Sequence, residues 1–498
     1  MTARISGKLT GCMGVKTQMV DILLKNAVII TMNGLREIIR GGYIAVRGTD
    51  IVAVGAGDDA PESAGKVIDC KGGIVIPGLI NCHSHAGHSV MGKLNTDTLE
   101  DWWSMLIAVY ENYATKDFWN LDGRLHACQT IRKGITTTAN VMGSTPMGDE
   151  PDFPESHARG FASVGAREAI GVGIPYGPYP KSYTRPMDGK MAKKCATYDD
   201  MLAGTEEAIR RIHMKNGGLT RVMVTPHQQL MEHEPGVHGE RTLLSLTKGE
   251  IALNARIRAL ARKYGTRIYT DTYGGWVLTA YLDKENMLLG PDTLIGMEHV
   301  MATGYDEVDI LAKTGSNVYY TAEGYYKRVP ICALIEAGVN VAITTNACAP
   351  RTTLDLLESL RRAILAEQIF ADSTAFFQSA KALETVTIDA AKALGWDDEI
   401  GSIEIGKKAD IAVLDAANGW ISPGVSPVQR VVYDATGGDF AHVLVNGRMI
   451  MHDRMIVTAN ESDIMREAEE THARIVRDIG LDSAINQPVF GKIRILSI

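Results

Sequence analysis

Residues 77–88 read PGLINCHSHAGH, and the chain changes character at this point. Before it, VDILLKNAVIITM, GGYIAVRGTDIVAVG and KVIDCKGGIVIPG fill residues 19–76 with short Val- and Ile-rich runs broken by glycine, a pattern of strands and turns. After it, apolar runs of strand length alternate with longer segments of helical spacing. The strand candidates are GITTTANVM (134–142), RVMVTPH (221–227), TRIYTDTYG (266–274), LIGMEHV (294–300), GSNVYYT (315–321) and NVAITTN (340–346). DDMLAGTEEAIRRIHM (199–214), GEIALNARIRALARKYG (249–265) and TTLDLLESLRRAILAEQIF (352–370) carry the helical pattern. Such alternation predicts parallel strands joined by crossover helices. Beyond about residue 396 strand texture returns in GSIEIGKKADIAVLD, QRVVYDAT and FAHVLVNGRMIMHD, so each end of the chain can supply half of one small sandwich. A last helix, ESDIMREAEETHARIVRDIG, follows.

Composition narrows the function. The 498 residues are 45% hydrophobic and 22% charged, an ordinary globular balance with room for a large barrel and an accessory domain. The net charge of −8, with no long basic run, speaks against a nucleic-acid partner and for a small-molecule substrate. Seven scattered cysteines without a CxxC pair argue against a disulfide framework and fit a cytoplasmic setting. No apolar run reaches 18 residues, so no membrane span is expected. Residues 1–18 are mixed in character, lack an apolar signal core, and precede a second plausible start at Met19.

His83 and His85 are two apart after an apolar run. On a strand, positions i and i+2 face the same side with Cα atoms about 6.5–7 Å apart, and two imidazoles so placed can reach one metal ion at about 2.0–2.1 Å. At the C-terminal end of a barrel strand they face the active-site mouth. His299 and Asn346 also end apolar runs, although a lone histidine or a turn-forming asparagine has ordinary explanations there.

PGLINCHSHAGH, LEDWW (99–103), GITTTAN, IGMEHV, EAGVNVAITTNA (336–347) and GSIEIGKKADIAVLD occur in the order seen in the amidohydrolase superfamily. The chain resembles its cytosine deaminase, triazine hydrolase and S-adenosylhomocysteine deaminase-like branch from about residue 19 to 455. The resemblance implies an α/β fold: a (β/α)8 TIM-like barrel over 77–395 and a small β-sandwich from both chain ends (19–76 and 396–455), and the helical texture of the residues after it makes 456–498 a C-terminal helical extension. It implies one divalent transition metal ion (Zn, Fe, Mn or Co) and, by analogy, a homo-oligomer. His83 and His85 match the first-strand ligands, and His299 matches the sixth-strand histidine beside the metal. Three positions depart from the pattern. Asp271 stands where the fifth-strand histidine ligand is usual, Gly274 where a proton-shuttling glutamate is usual, and Asn346 where the eighth-strand aspartate is usual.

Exchanging His for Asp271 and Asp for Asn346 keeps one carboxylate near the ion and moves it to another strand. Asn346 can ligate through its carbonyl oxygen but cannot act as a base, so Asp271 and His299 become the candidate catalytic groups. The expected ligand set is His83, His85, Asp271 and Asn346. His227, Trp102, Tyr325 and His88 are candidate substrate contacts, with an ordinary loop or core role as the alternative for each. Trp103, Tyr326, Glu323 and Lys327 lie in the same regions. Loss of the glutamate argues against ring deamination. Asn346 resembles a small subgroup that cleaves phenylurea and thiocarbamate compounds. The expected activity is therefore hydrolysis of a C–N or C–S bond of an N-substituted urea, carbamate or amide by metal-activated water. Two alternatives stand beside it: a deaminase or chlorohydrolase of an N-heterocycle (triazine, purine or pyrimidine), and a catalytically inactive binding protein of the same fold.

Overall fold

The computed structural model describes residues 19–92, 99–142, 148–175, 179–187, 190–226, 247–271, 288–297, 305–322, 329–347, 353–370, 377–415 and 421–480. The first five strands are β1 (Val20–Ile30), β2 (Ile38–Arg47), β3 (Asp50–Ala56), β4 (Ala64–Asp69) and β5 (Ile74–Pro77). The barrel opens with β6 (Leu79–Ala86), followed by helices α1 (His88–Met91), α2 (Leu99–Asn112) and α3 (Lys116–Ile131). It continues through β7 (Ile135–Met142), α4 (Asp152–Val164) and β8 (Arg167–Val172). A hairpin of β9 (Lys181–Met187) and β10 (Lys190–Ala196) precedes α5 (Tyr198–Ile212) and β11 (Thr220–Val224). Then come α6 (Lys248–Tyr264), β12 (Ile268–Asp271), β13 (Thr293–Gly296), α7 (Tyr305–Thr314), β14 (Asn317–Tyr320) and β15 (Val341–Ile343). The helices α8 (Leu356–Phe370) and α9 (Ile388–Leu394) lead to β16 (Ile411–Leu414), β17 (Phe440–Val445), β18 (Arg448–His452), β19 (Met455–Ile456) and α10 (Glu461–Asp478).

Eight parallel strands, β6-β7-β8-β11-β12-β13-β14-β15, form the barrel wall. The gap between β15 and β6 is bridged differently. At the lower end Ile343 N–H and Ile80 N–H donate to the carbonyls of Thr385 and Val386 at 3.2 and 2.9 Å. Higher up, the Asn81 amide donates to Thr345 Oγ1 (2.8 Å) and its oxygen accepts from Thr345 N–H (3.1 Å), so one side chain replaces a rung of the ladder. The interior is filled by Ile80, Cys82, Ala139, Ala169, Met223, Tyr269, Leu294, Tyr319 and Ala342, and closed below by α9 and Trp396.

The other sheet has the path β19-β18-β17-β16-β5-β1-β2-β3, with β4 beside β1, so β5 of the N-terminal half pairs directly with β16 of the C-terminal half. Its core mixes Ile22, Leu24, Ile29 and Val46 with Ile403, Ile411, Val413 and Leu444. A TIM-like barrel with a small sandwich from both chain ends is the fold. Local signals start and stop its helices. Thr197/Asp200 and Thr247/Glu250 form capping boxes on α5 and α6, and Gly265, at φ +62°, ends α6 in the left-handed conformation that glycine adopts without strain. Helix α10 lies on the barrel, with Arg124 paired to Glu467 (2.9 Å) and His472 Nδ1 3.1 Å from the Val90 carbonyl.

Two elements were absent from the strand candidates. Strand β8, REAIGV, begins with two charged residues, yet all six are buried. Arg167 is buried because its guanidinium meets both oxygens of Asp410 (2.9 and 3.0 Å) and lies over the Trp396 ring. The β9–β10 hairpin is largely polar, with Pro186 inside one strand, and two-stranded hairpins tolerate proline where a buried sheet does not.

The Arg167–Asp410 pair joins barrel to sandwich in a site with almost no solvent contact. Removing one partner of a buried pair strands the other charge, at a cost of about 3–5 kcal/mol. Arg167→Leu should therefore lower unfolding free energy by about that amount in chemical denaturation, and Arg167→Leu with Asp410→Leu should recover most of it. A single-variant loss below about 1 kcal/mol would show that the pair does not hold the two units together.

Candidate metal centre

Strand β6 has two tasks that strict alternation cannot reconcile. Ile80 and Cys82 pack in the barrel interior, and the Cys82 thiol reaches the Ala390 carbonyl below. The histidine two positions after 81 must also face inward. Pairing with β7 resolves this: Asn81 is opposite Thr138 and Ser84 opposite Asn140, so Cys82 and His83 together face the single residue Ala139. This bulge resets the alternation. His83 and His85 then share the inner face, with ring centroids 4.8 Å apart, and Ser84 points outward to within 3.4 Å of His126 Nε2.

His83 is fully buried and held from two directions. Its ring stacks on Tyr319 from β14 (4.5 Å between centroids), and its Nδ1 hydrogen-bonds the Tyr269 hydroxyl from β12. Its Nε2 lies 3.1 Å from Asn346 Oδ1. Asn346 follows the last barrel strand at φ +55°, a left-handed conformation in which asparagine is one of the few tolerated side chains. His83 Nε2 and Asn346 Oδ1 are hydrogen-bonded as they stand, and their separation is only a little under the edge of about 3.4 Å in a tetrahedron with bonds of about 2.0–2.1 Å, so a small widening would let both face one ion. With Nε2 directed at an ion, the neutral ring carries its proton on Nδ1 and donates it to Tyr269. The donor set fits a single divalent ion.

His85 stacks on His88 (5.0 Å), and His88 meets the edge of Trp102 (5.3 Å). His88 and Trp102 are both buried, so these two candidate substrate contacts form a packed column behind His85. Asp271 ends β12 two residues after Tyr269, and its side chain lies outside the described residues, as do His227, His299, Tyr325, Trp103, Tyr326, Gly274, Glu323 and Lys327. Tyr269 and Tyr319 were not among the sequence candidates. Tyr269 had a legible signal, since it stands two positions before Asp271 in the fifth barrel strand.

A second group, Asp122, His126 and His157, has ligand atoms within 4.8 Å of one another. It is buried behind the barrel wall, and His157 lies between two carboxylates: Nε2 is 3.3 Å from Asp122 and Nδ1 is 2.9 Å from Glu168. Burial opposes the charge on His157, but Glu168 and Asp122 outweigh it and lift its pKa to about 10. Burial drives His126 the other way, down to about 3. In this group His157 is already placed between Asp122 and Glu168, its two ring nitrogens turned to their carboxylates. The inward-facing histidines of β6 are the better place for an ion.

A nearly closed parallel barrel with paired histidines at the end of its first strand defines the class: a metal-dependent hydrolase barrel. Residues 74–450 match the model of the amidohydrolase family, and the chain belongs to that family. With the deaminase relatives that follow, the match makes it a hydrolase acting on carbon–nitrogen bonds. It is 26% identical over 466 residues to the 5'-deoxyadenosine deaminase of Methanosarcina barkeri, covering 92% of this chain and 99% of that protein. It is 28% identical over 463 residues to the 5-methylthioadenosine/S-adenosylhomocysteine deaminase of Syntrophobacter fumaroxidans, covering 89% and 96%. Among solved structures it resembles a zinc-bound adenosine deaminase from Xanthomonas campestris (TM-score 0.77, 20% identity, 92% and 99% covered). It also resembles the zinc complex of an atrazine chlorohydrolase from Arthrobacter aurescens TC1 (TM-score 0.72, 19% identity, 91% and 100% covered). Among the described residues no helix is long and apolar enough to cross a membrane.

Tyr269→Phe removes the hydroxyl that orients His83 and keeps the ring that packs beside it. Outer partners of this kind are worth about 10–100-fold in metal affinity. Chelator competition should show a loss in that range with thermal unfolding of the apo-protein little changed. Unaltered affinity would show that Tyr319 stacking alone orients His83.

Proposed function

We propose that this chain displaces an amine from a nitrogen-bearing carbon, using water activated by one divalent ion held by His83, His85, Asn346 and Asp271. The observation that carries the proposal is the convergence of His83 Nε2 and Asn346 Oδ1 at the mouth of the barrel. When bound, the ion acts as a Lewis acid and lowers the pKa of water. The protein's own groups do the rest. Tyr269 and Tyr319 fix the His83 ring, and Asn346 offers a neutral oxygen that takes up no proton. Proton transfer falls to Asp271 or His299, with Asp271 placed by β12 at the C-terminal rim, where barrel enzymes carry their catalytic groups. His227 and Tyr325 remain the candidates for enclosing substrate, while His88 and Trp102, packed behind His85, would act by supporting that histidine.

The relatives favour an N-heterocyclic amine, such as the exocyclic amine of an adenine nucleoside, over the urea or carbamate that the residues alone put first. Two deaminases align with the chain across nearly their whole length. The second reading, an N-substituted urea, carbamate or amide, keeps one specific support. Gly274 stands where the resemblance places a proton-shuttling glutamate, and a ring deaminase needs a donor for its ring nitrogen.

The leaving group separates the two. Metal-loaded protein is incubated with 5'-deoxyadenosine and S-adenosylhomocysteine, and in parallel with N-aryl ureas and thiocarbamates. Ammonia from the nucleosides supports the deaminase reading. Release of aniline, alkylamine or thiol with no ammonia from nucleosides would overturn it in favour of the second. No turnover of either class by protein shown to hold metal would remove both.

A further inference from the structure

The barrel wall behind the paired histidines contains a chain of buried polar groups that the proposed chemistry does not use. It starts on β7, where Asn140 donates to Glu168 Oε1 of β8 at 2.7 Å. Glu168 faces His157 Nδ1 from α4, a close contact that is poorly aligned and so more an ion pair than a hydrogen bond. His157 Nε2 faces Asp122 Oδ2 from α3. Asp122 ends the chain on backbone: Oδ2 accepts Gly87 N–H at 2.6 Å and Oδ1 accepts Val90 N–H at 2.9 Å. Asn140, His157, Asp122 and Glu168 are at most 1% exposed.

The far end of this chain is the turn that leaves β6. Gly87 comes two residues after His85 and directly before His88, at φ +91°. A side chain at Gly87 would strike Tyr110 and Trp119, so the turn is enclosed by packing on that side and by the Asp122 carboxylate on the other. Ser84, between the two histidines, contacts His126, one helical turn beyond Asp122 on α3. The same helix therefore braces the outer face of the strand and the turn after it.

A fully buried carboxylate persists only when charge or hydrogen bonds compensate its lost hydration. Here His157 and two backbone N–H groups do so, and Asp122 stays below the ordinary carboxylate range although burial opposes its ionisation. Both ring nitrogens of His157 face carboxylate oxygens, an arrangement that favours the protonated ring and raises its pKa.

We propose that Asp122 and His157 are positioning residues for the metal centre: the His157 imidazolium, clamped between Asp122 and Glu168, seats Asp122 on the Gly87–Val90 turn and thereby sets the direction of His85 and His88. The proposal rests on the reading of His83 and His85 as ligands. It makes the outer wall of the barrel part of the site's preorganisation, through backbone and not through a hydrogen bond to a ligand ring.

The test compares wild type, Asp122→Asn and His157→Gln by hydrogen exchange on peptides spanning residues 83–92, without metal, and by cobalt affinity from chelator competition. Both variants should exchange that segment at least about 10-fold faster while the β16–β17 segment is unchanged, because local opening responds to the local constraint. Cobalt affinity should fall about 10–100-fold in parallel. Glu168→Gln keeps the shape of its side chain and carries the same test, with a smaller effect, if the other variants do not yield folded protein. Unchanged exchange at 83–92 in a folded variant overturns the relay. Faster exchange with unchanged cobalt affinity also overturns it as a device for the metal. Absence of cobalt binding by wild type is a different failure: it refutes the ligand reading on which the relay rests.

Discussion

One extra residue in β6 decides which way His83 and His85 face. Without the two-against-one pairing at Cys82 and His83 opposite Ala139, alternation would put Ser84 on the same side as Cys82 and turn both histidines into the helical layer. The bulge lets one strand seal the interior with Ile80 and Cys82 and still turn His83 and His85 to the inner face of the barrel. Its disturbance is absorbed nearby. Tyr269 and Tyr319 take hold of the first histidine, and the Asn81 side chain makes the contact with Thr345 that a regular ladder would have made.

The same economy is visible in the buried charges. Arg167 and Glu168 are adjacent on β8 and point to opposite sides, as strand neighbours must. Arg167 reaches down to Asp410 and ties the barrel to the sandwich. Glu168 reaches toward His157 and belongs to the network behind the metal centre. A single strand thus links the interface of the two units with the support of the site. Each charge is tolerated because it meets an opposite partner.

Much of this was legible in the sequence, and the gaps have physical causes. The alternation of strand and helix textures gave the parallel barrel, and the Val/Ile-rich ends gave the composite sheet, because burial there follows hydrophobic periodicity. Strand β8 escaped notice because its first two residues are charged, and only the partners on Asp410 and His157 make them core residues. His83, His85 and Asn346 were legible as candidates from their places after apolar runs, and the structure brings His83 and Asn346 together across the barrel seam. Their neighbours were less so. Tyr269 and Tyr319 look like ordinary strand aromatics until the closed barrel aims them at His83, and Asp122 and His157 sit inside helices with no local motif. The urea-cleaving reading came from single substitutions, whereas the full-length relatives are deaminases, and residues 274 and 346 pull against that comparison.

The central claim is that the inward-facing histidines of β6 hold one catalytic ion. Elemental mass spectrometry of the purified protein, with His83→Ala beside it, tests this most directly. About one equivalent of a divalent transition metal per chain, lost in the variant while the fold is retained, is the result this account predicts. Metal retained in full by His83→Ala, or none bound by wild type after reconstitution, would contradict it.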